Sequence, residues 1–304
     1  MTKEKVLITG ASGSLAKRLV KFLPSDQYDL VYLTTNKNKV NNTDVFYWNI
    51  DQNEIDTKAI EGCHHIVHLA GFSIIKPWTS RNKQLMYDSR VSAANLIFKK
   101  CKEHNISPLT VVSASAMGYY GHVFDSYCKE TDTAGRGWLC DMSVDWEHAA
   151  EQFRQLGSRV VQMRISLLLS KNSGILQPTS LSMRLGVGVV FGKGNRPFEW
   201  IHIDDVANFI CHALNTESVS GPYNMASPQK FTQFEFMKAL KNRIAKYAIL
   251  IKLPKWALSI IFGDRSEILE GGCGLSSNKL MASNFKLNFP TLESVVKKEF
   301  YGKI

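Results

Sequence analysis

The chain has 304 residues, 44% apolar and 21% charged, enough to bury a sizeable core as one large domain or two smaller ones. Lys and Arg number 37 against 27 Asp and Glu, a formal net charge of +10, but no long basic block collects it. That argues against nucleic acid as a partner and leaves solubility and attraction for phosphorylated ligands.

The cysteines Cys63, Cys101, Cys128, Cys140, Cys211 and Cys273 form no CxxC pair and join no His cluster at zinc spacing. They read as reduced thiols of a cytoplasmic protein without a metal site. The chain enters a strand at once, so no signal peptide is expected. The longest apolar region, 247–262, is interrupted by Lys252, Pro254 and Lys255 and is too short to span a bilayer, so no membrane partner is expected.

Residues 6–23, VLITGASGSLAKRLVKFL, pass from an apolar strand through a small-residue turn into helical spacing, with Leu15, Leu19, Val20 and Leu23 on one face. Strand, Gly-rich turn and helix begin a dinucleotide-binding βαβ unit. Gly10 permits the tight turn, and Gly13 lets backbone approach a pyrophosphate at the positive end of the helix. Strands are then predicted at 29–35, 45–50, 65–70, 109–113 and 160–169. A short helix is predicted within 51–61, and longer helices at 80–104 and 141–156. Alternating strands and helices predict a doubly wound parallel α/β sheet whose ligand lies beyond the carboxyl ends of the strands. The two long helices could also form a two-fold dimer face, and a monomer is equally compatible.

Past residue 170 Gly and Pro become frequent. Residues 1–170 read as a dinucleotide-binding domain and 171–304 as a smaller substrate lobe, with segments near 199–226 returning to the core. A short strand runs into a helix that Asp204 or Asp205 could cap, 222–225 forms a strand, and 232–245 forms a helix capped by Thr232.

At the end of the second strand NAD-binding folds often place an acid on the adenine ribose. Here Thr34, Thr35, Asn36 and Lys37 supply none, and Lys37 or Lys39 could attract a 2′-phosphate. This favours NADP, with NAD still possible.

Read together, TGASGSLA, HLAGFSI followed by KPWTSRNKQLMYDSRV, SASAMGYYG, DWEHAAE, RISLLLSKNSG, WIHIDDVA and SGPYNMASP occur in order. The set resembles an atypical branch of the extended short-chain dehydrogenase/reductases. It is the "epimerase family protein" group related to NAD-dependent epimerase/dehydratases, which ends in a short C-terminal domain of uncharacterised function, here about 250–296. The resemblance implies a Rossmann-type sheet of about seven strands with a smaller C-terminal α/β lobe, and a bound nicotinamide dinucleotide. By that resemblance Gly10, Ser12, Gly13, Ser14 and Leu15 lie on the pyrophosphate and Thr34 and Thr35 near the adenosine ribose. Leu69 and Ala70 line the cofactor, Arg90 contacts its phosphate or ribose, and Leu168 lies near the nicotinamide. Two positions depart from the group: Ala16 replaces a third glycine, and Thr35 stands where an arginine is common.

Short-chain dehydrogenases generally use Tyr-x-x-x-Lys, the lysine lowering the tyrosine pKa for proton exchange. Aligning Glu147 of DWEHAAE with the downstream acid puts Ser143 at the lysine and Leu139 at the tyrosine. The remaining candidates follow the fifth strand: Ser113 and Ser115 to hold a substrate oxygen, and Tyr119 or Tyr120 as proton donor. Paired loop tyrosines can equally pack their rings and bond backbone, and the serines can tie up a strand-end turn. Arg164 needs an acidic or phosphate partner if buried. His202 reads as a hydrogen-bonded interface residue, and Trp78 and Trp146 as packing residues. Two functions follow: an NADP-dependent oxidoreductase or epimerase acting on a small hydroxyl- or carbonyl-bearing substrate, or a non-catalytic NAD(P)-binding sensor or scaffold.

Overall fold

The computed structural model describes residues 2–41, 43–266 and 272–302. The elements begin with β1 (Glu4–Thr9), α1 (Ser14–Leu19), β2 (Tyr28–Thr34), β3 (Val45–Asn49), β4 (Glu54–Ile55) and β5 (Cys63–His68). There follow α2 (Ser80–Tyr87), α3 (Ala93–Glu103), β6 (Thr110–Ala116), β7 (Val123–Cys128), α4 (Trp138–Glu151), β8 (Arg159–Ile165) and β9 (Leu167–Ser170). Next come β10 (Ser173–Gly174), α5 (Leu176–Arg184), β11 (Val187–Phe191), β12 (Trp200–His202), α6 (Ile203–Asn215) and β13 (Gly221–Met225). The described chain closes with α7 (Gln233–Ile244), β14 (Ile249–Leu253), α8 (Lys255–Phe262), β15 (Cys273–Leu275), α9 (Asn278–Ala282) and α10 (Leu292–Val296).

Two compact units form: Met1–Ser115 with Asp141–Met163 and Ala207–Tyr223, and Ala116–Cys140 with Arg164–Val206 and Asn224–Ile304. The principal sheet has the order β13-β8-β6-β5-β1-β2-β3-β4. The pairs β1–β2, β1–β5, β2–β3 and β5–β6 are parallel, and the two-residue β4 is antiparallel to β3. Val6, Leu7 and Ile8 are fully buried, as expected for a central parallel strand covered on both faces. The chain runs outward from β1 through β2 to β3, then returns to β5 on the other side. The order therefore reverses between β1 and β5, the switch point beyond whose carboxyl ends sheets of this kind bind ligands. The core of the first unit joins Leu7, Ile66 and Val111 of the sheet to Leu96 and Ile97 of α3 and to Phe153. In the second unit Leu169, Met183, Val190, Trp200, Phe236, Leu240 and Val295 form a separate core.

Several elements differ from the sequence reading for local reasons. The helix α1 ends at Leu19; Ala16 and Leu19 face inward with Leu23 beyond, while Val20 is exposed. Within 51–61 stand β4 and a 3-10 turn at Thr57–Ala59, capped by the Asp56 side chain on the Lys58 N–H. The helix expected over 80–104 is interrupted by a π turn at Asp88–Ser92. The strand expected over 160–169 breaks at Ser166, whose N–H and hydroxyl both donate to the Met225 carbonyl, and β9 then pairs with β12. Thr232 caps α7 as expected, reinforced by Glu235 in a reciprocal capping box. Neither Asp204 nor Asp205 precedes α6; both lie in its first turn. The Asp205 carboxylate instead accepts the N–H groups of Asn288 and Phe289, at 2.7 and 3.1 Å. Among the described residues no helix is long and apolar enough to cross a membrane, and no group of three or more His, Cys, Asp or Glu is placed to hold a metal ion.

Candidate functional site

The turn after β1 is built on close backbone approach. Gly10 has φ +71°, and a Cβ there would stand 2.5 Å from the Leu69 carbonyl oxygen. The two loops that leave β1 and β5 thus touch at a position only glycine fits. The Gly13 N–H donates to the Gly10 carbonyl at 2.8 Å, and Gly13 then leads into α1. No side chain caps α1 and no acid sits in its first turn, while Lys17 and Arg18 lie in its last. Its first N–H groups therefore have no side-chain cap, and around them Ser12 and Ser14 are exposed and Leu15 is half-buried. The methyl of Ala16 is fully buried, so the missing third glycine is absorbed within the packing. This cradle fits the phosphates of a dinucleotide.

A hydrogen-bonded chain locks the ends of β1 and β5 together. The Thr9 hydroxyl accepts the N–H groups of Leu69 and Ala70, both at 3.1 Å, and lies 2.9 Å from His68 Nδ1. His68 Nε2 donates to the Arg90 carbonyl at 2.9 Å. Burial lowers the His68 pKa to about 4, so the ring is neutral. Leu69 and Ala70 therefore spend their N–H groups on Thr9, and only their side chains and carbonyls remain to line a ligand.

Arg90 sits in the π turn, whose extra residue per turn commonly marks a functional position. Its guanidinium donates to the carbonyls of Phe72 and Met86, at 3.1 and 3.0 Å, and lies 5.1 Å from the centre of the Trp146 ring. A Cβ at Gly71 would stand 3.1 Å from it. Arg90 is thus packed closely against a glycine backbone and beside an indole. Burial draws its pKa down to about 10, still leaving it charged. Its hydrogen bonds engage carbonyls rather than a carboxylate, so the positive charge is not neutralised by them.

At the end of β2 the Thr34 hydroxyl accepts the Asn36 N–H, and Thr35 is exposed. Lys37 rests its ammonium 5.0 Å from the centre of the Tyr47 ring, and Lys39 is exposed beside it. Leu168 belongs to the second unit, on β9, where it pairs with Ile201 of β12.

The residues after β6 fall into two groups. In the first unit Ser115 donates its hydroxyl to Glu147 at 2.6 Å, with both side chains buried. Ser113 turns its hydroxyl to the Ala114 carbonyl at 3.0 Å. In the second unit the buried Tyr120 hydroxyl contacts Asn224 Oδ1 at 2.8 Å and the Lys129 carbonyl at 3.0 Å, and accepts from Arg164 at 2.7 Å. Burial raises the Tyr120 pKa well above the ordinary phenol value. Arg164 also stacks on Tyr119, its guanidinium carbon 3.5 Å from the ring centre, and donates to the Glu130 carbonyl. Tyr119 itself is half-buried and its hydroxyl makes no hydrogen bond among the described residues. Ser143 and Leu139 both lie on α4, and Ser143 is fully buried. His202 is fully buried against Glu299 at 3.0 Å, and Trp78 and Trp146 are both buried.

Sequence reading missed three partners. Glu147 carried a signal, since it shares a helical face with Ser143. Asn224 and His68 carried none, because their partners are remote in sequence.

A family model described as the NAD dependent epimerase/dehydratase family matches residues 6–226. An epimerase family protein of Staphylococcus aureus strain MRSA252 is 30% identical over 291 residues, covering 95% of this chain and 97% of its own. A Staphylococcus epidermidis epimerase family protein is 29% identical over 305 residues, covering 96% and 98%. Among solved structures, the human epimerase family protein SDR39U1 (isoform 2) with NADPH superposes with a TM-score of 0.86 at 22% identity, covering 98% of this chain and 100% of that one. The UDP-glucose 4-epimerase of Thermus thermophilus in complex with NAD gives a TM-score of 0.73 at 18% identity, covering 99% and 100%. These two share the fold of this chain. By family match and by relatives along nearly its full length, the chain belongs to the NAD dependent epimerase/dehydratase family.

Proposed function

We propose that the protein is an NADP-dependent oxidoreductase or epimerase-like enzyme acting on a small hydroxyl- or carbonyl-bearing substrate. The observation that carries this reading is the cradle of Gly10, Gly13 and the uncapped start of α1, with the charged Arg90 packed against Gly71 and beside Trp146. Ser12, Gly13, Ser14 and Leu15 would hold the pyrophosphate, with Arg90 as a further cation. Thr34 and Thr35 would face the adenosine ribose, and Lys37 and Lys39 would attract a 2′-phosphate where an acid would repel it. Leu69 and Ala70 would line the cofactor, and Leu168 the nicotinamide end. Bound, the dinucleotide supplies hydride transfer. Ser115, whose one hydroxyl hydrogen goes to Glu147, would hold a substrate hydroxyl by accepting its hydrogen. Tyr119 is the better proton donor of the tyrosine pair, because the Tyr120 hydroxyl is committed to Asn224, Lys129 and Arg164. The Arg164 guanidinium, 3.5 Å from the Tyr119 ring centre, holds that ring in place.

A second reading is a dinucleotide-binding protein without turnover. It rests on Leu139 and Ser143, which can replace neither the tyrosine nor the lysine of the usual pair. Fluorescence titration with NADPH and NADH, followed by a screen of carbonyl substrates for cofactor oxidation, separates the two. Tight NADPH binding with oxidation that falls on Tyr119→Phe supports the enzyme. Binding with no turnover across the screen supports the second reading, and failure to bind either cofactor removes both.

A further inference from the structure

The net charge of +10 is concentrated. Residues 171–198 and 236–263 hold ten Lys and Arg and no Asp or Glu; the other 27 Lys and Arg match the 27 Asp and Glu. Both stretches belong to the second unit, and they meet where β11 and β14 pair in parallel. Val187 stands opposite Ile249, Val189 opposite Ile251 and Phe191 opposite Leu253.

One face of this two-stranded sheet turns to the core. A Cβ at Gly188 would meet Leu250 and Met183 of α5, and Val190 is fully buried. By the alternation of a strand, the three pairs above form the opposite face, and every one of those six residues is apolar. Ile249 is 68% exposed and Ile251 50%. The patch continues onto α5, because the Ile249 N–H donates to the Gly186 carbonyl and the Tyr247 hydroxyl to the Arg184 carbonyl. Leu185, between those two acceptors, is 79% exposed. Beyond β14, Trp256 and Ile260 stand one turn apart on α8, 69% and 76% exposed. Exposed lysines bracket the sheet, Lys246 before β14 and Lys193 and Lys255 at the far end of the pair. Exposed apolar side chains in this number exceed the scattered singles of an ordinary surface.

We propose that this face docks on an anionic phospholipid bilayer, lying in its interface. Isoleucine and leucine to enter the acyl boundary, Trp256 and Tyr247 at headgroup depth, and lysines without a single acid form the combination that such a surface recognises. A second copy is the weaker occupant, since a two-fold axis through the patch would set its lysine rim against the same rim. Nucleic acid would use the lysines but leave Ile249, Ile251 and Leu185 exposed. The expectation of no membrane partner considered spanning alone, and a docking face needs no spanning helix.

The test is co-sedimentation of the full chain with vesicles of phosphatidylcholine alone or mixed with phosphatidylglycerol. The expected result is pelleting with the anionic vesicles only, weakened by salt. Ile249→Glu with Ile251→Glu should lower the bound fraction about tenfold or more. Lys193→Gln, Lys246→Gln and Lys255→Gln together should lower it several-fold with the melting temperature unchanged. That lysine variant keeps the test decisive if the isoleucine variant fails to fold. No pelleting with anionic vesicles, or pelleting that the lysine variant leaves unchanged, overturns the proposal. So does a dimer in light scattering that Leu185→Ser dissociates, or tighter binding to RNA than to vesicles.

Discussion

The Thr9 hydroxyl gives its hydrogen to Nδ1 of His68, because its lone pairs are already taken by the N–H groups of Leu69 and Ala70. That fixes the His68 ring as the neutral Nε2–H tautomer, since Nε2 faces the Arg90 carbonyl and must donate. Protonating Nδ1 would put two hydrogens between the same pair of atoms. The folded pKa of about 4 lies below the ordinary histidine value, so the unfolded chain binds the extra proton more tightly. The stability from neutral His68 is therefore fully present above about pH 6.5 and is lost as pH falls toward 4, by a total of order 3 kcal/mol. Melting temperatures from pH 7 to 4 should fall more steeply for the wild type than for His68→Gln; equal slopes would remove His68 as the cause.

The contact between Gly10 and Leu69 predicts a double effect. Gly10→Ala must drive a methyl into the Leu69 carbonyl while holding a positive φ. We expect a loss of roughly 1–3 kcal/mol in stability by denaturant titration. We also expect loss of dinucleotide fluorescence enhancement at temperatures where the variant is still folded.

Tyr119 and Tyr120 should separate by experiment. Tyr120→Phe removes one buried hydrogen-bond partner from Arg164 and one from Asn224 Oδ1, and should cost about 1–3 kcal/mol of stability. Tyr119→Phe keeps the ring under Arg164 and should leave the melting temperature unchanged while lowering kcat in any cofactor-oxidation assay. The reverse pattern would assign the proton to Tyr120.

Cofactor preference should rest on the lysines after β2. Lys37→Ala with Lys39→Ala should weaken NADPH by about fivefold, the scale of an exposed charge contact, and leave NADH unchanged. An equal change in both would show that neither lysine reads the 2′-phosphate.

Residues 6–23 determined the βαβ entry by themselves, because a buried strand, a glycine turn and a helix are each encoded locally. Alternation likewise determined the parallel sheet, and Thr232 determined the start of α7. Tertiary structure decided what local pattern cannot carry. The π turn at Arg90 interrupts a segment whose spacing reads as one helix. Asp205 stands in a helix start yet spends its carboxylate on residues 288 and 289, more than 80 positions away. Tyr120 is removed from the pool of free phenols by Asn224, which shares no local pattern with it. Hydrogen bonds closed across long loops depend on where the sheet brings strand ends together, and spacing along the chain holds no record of that.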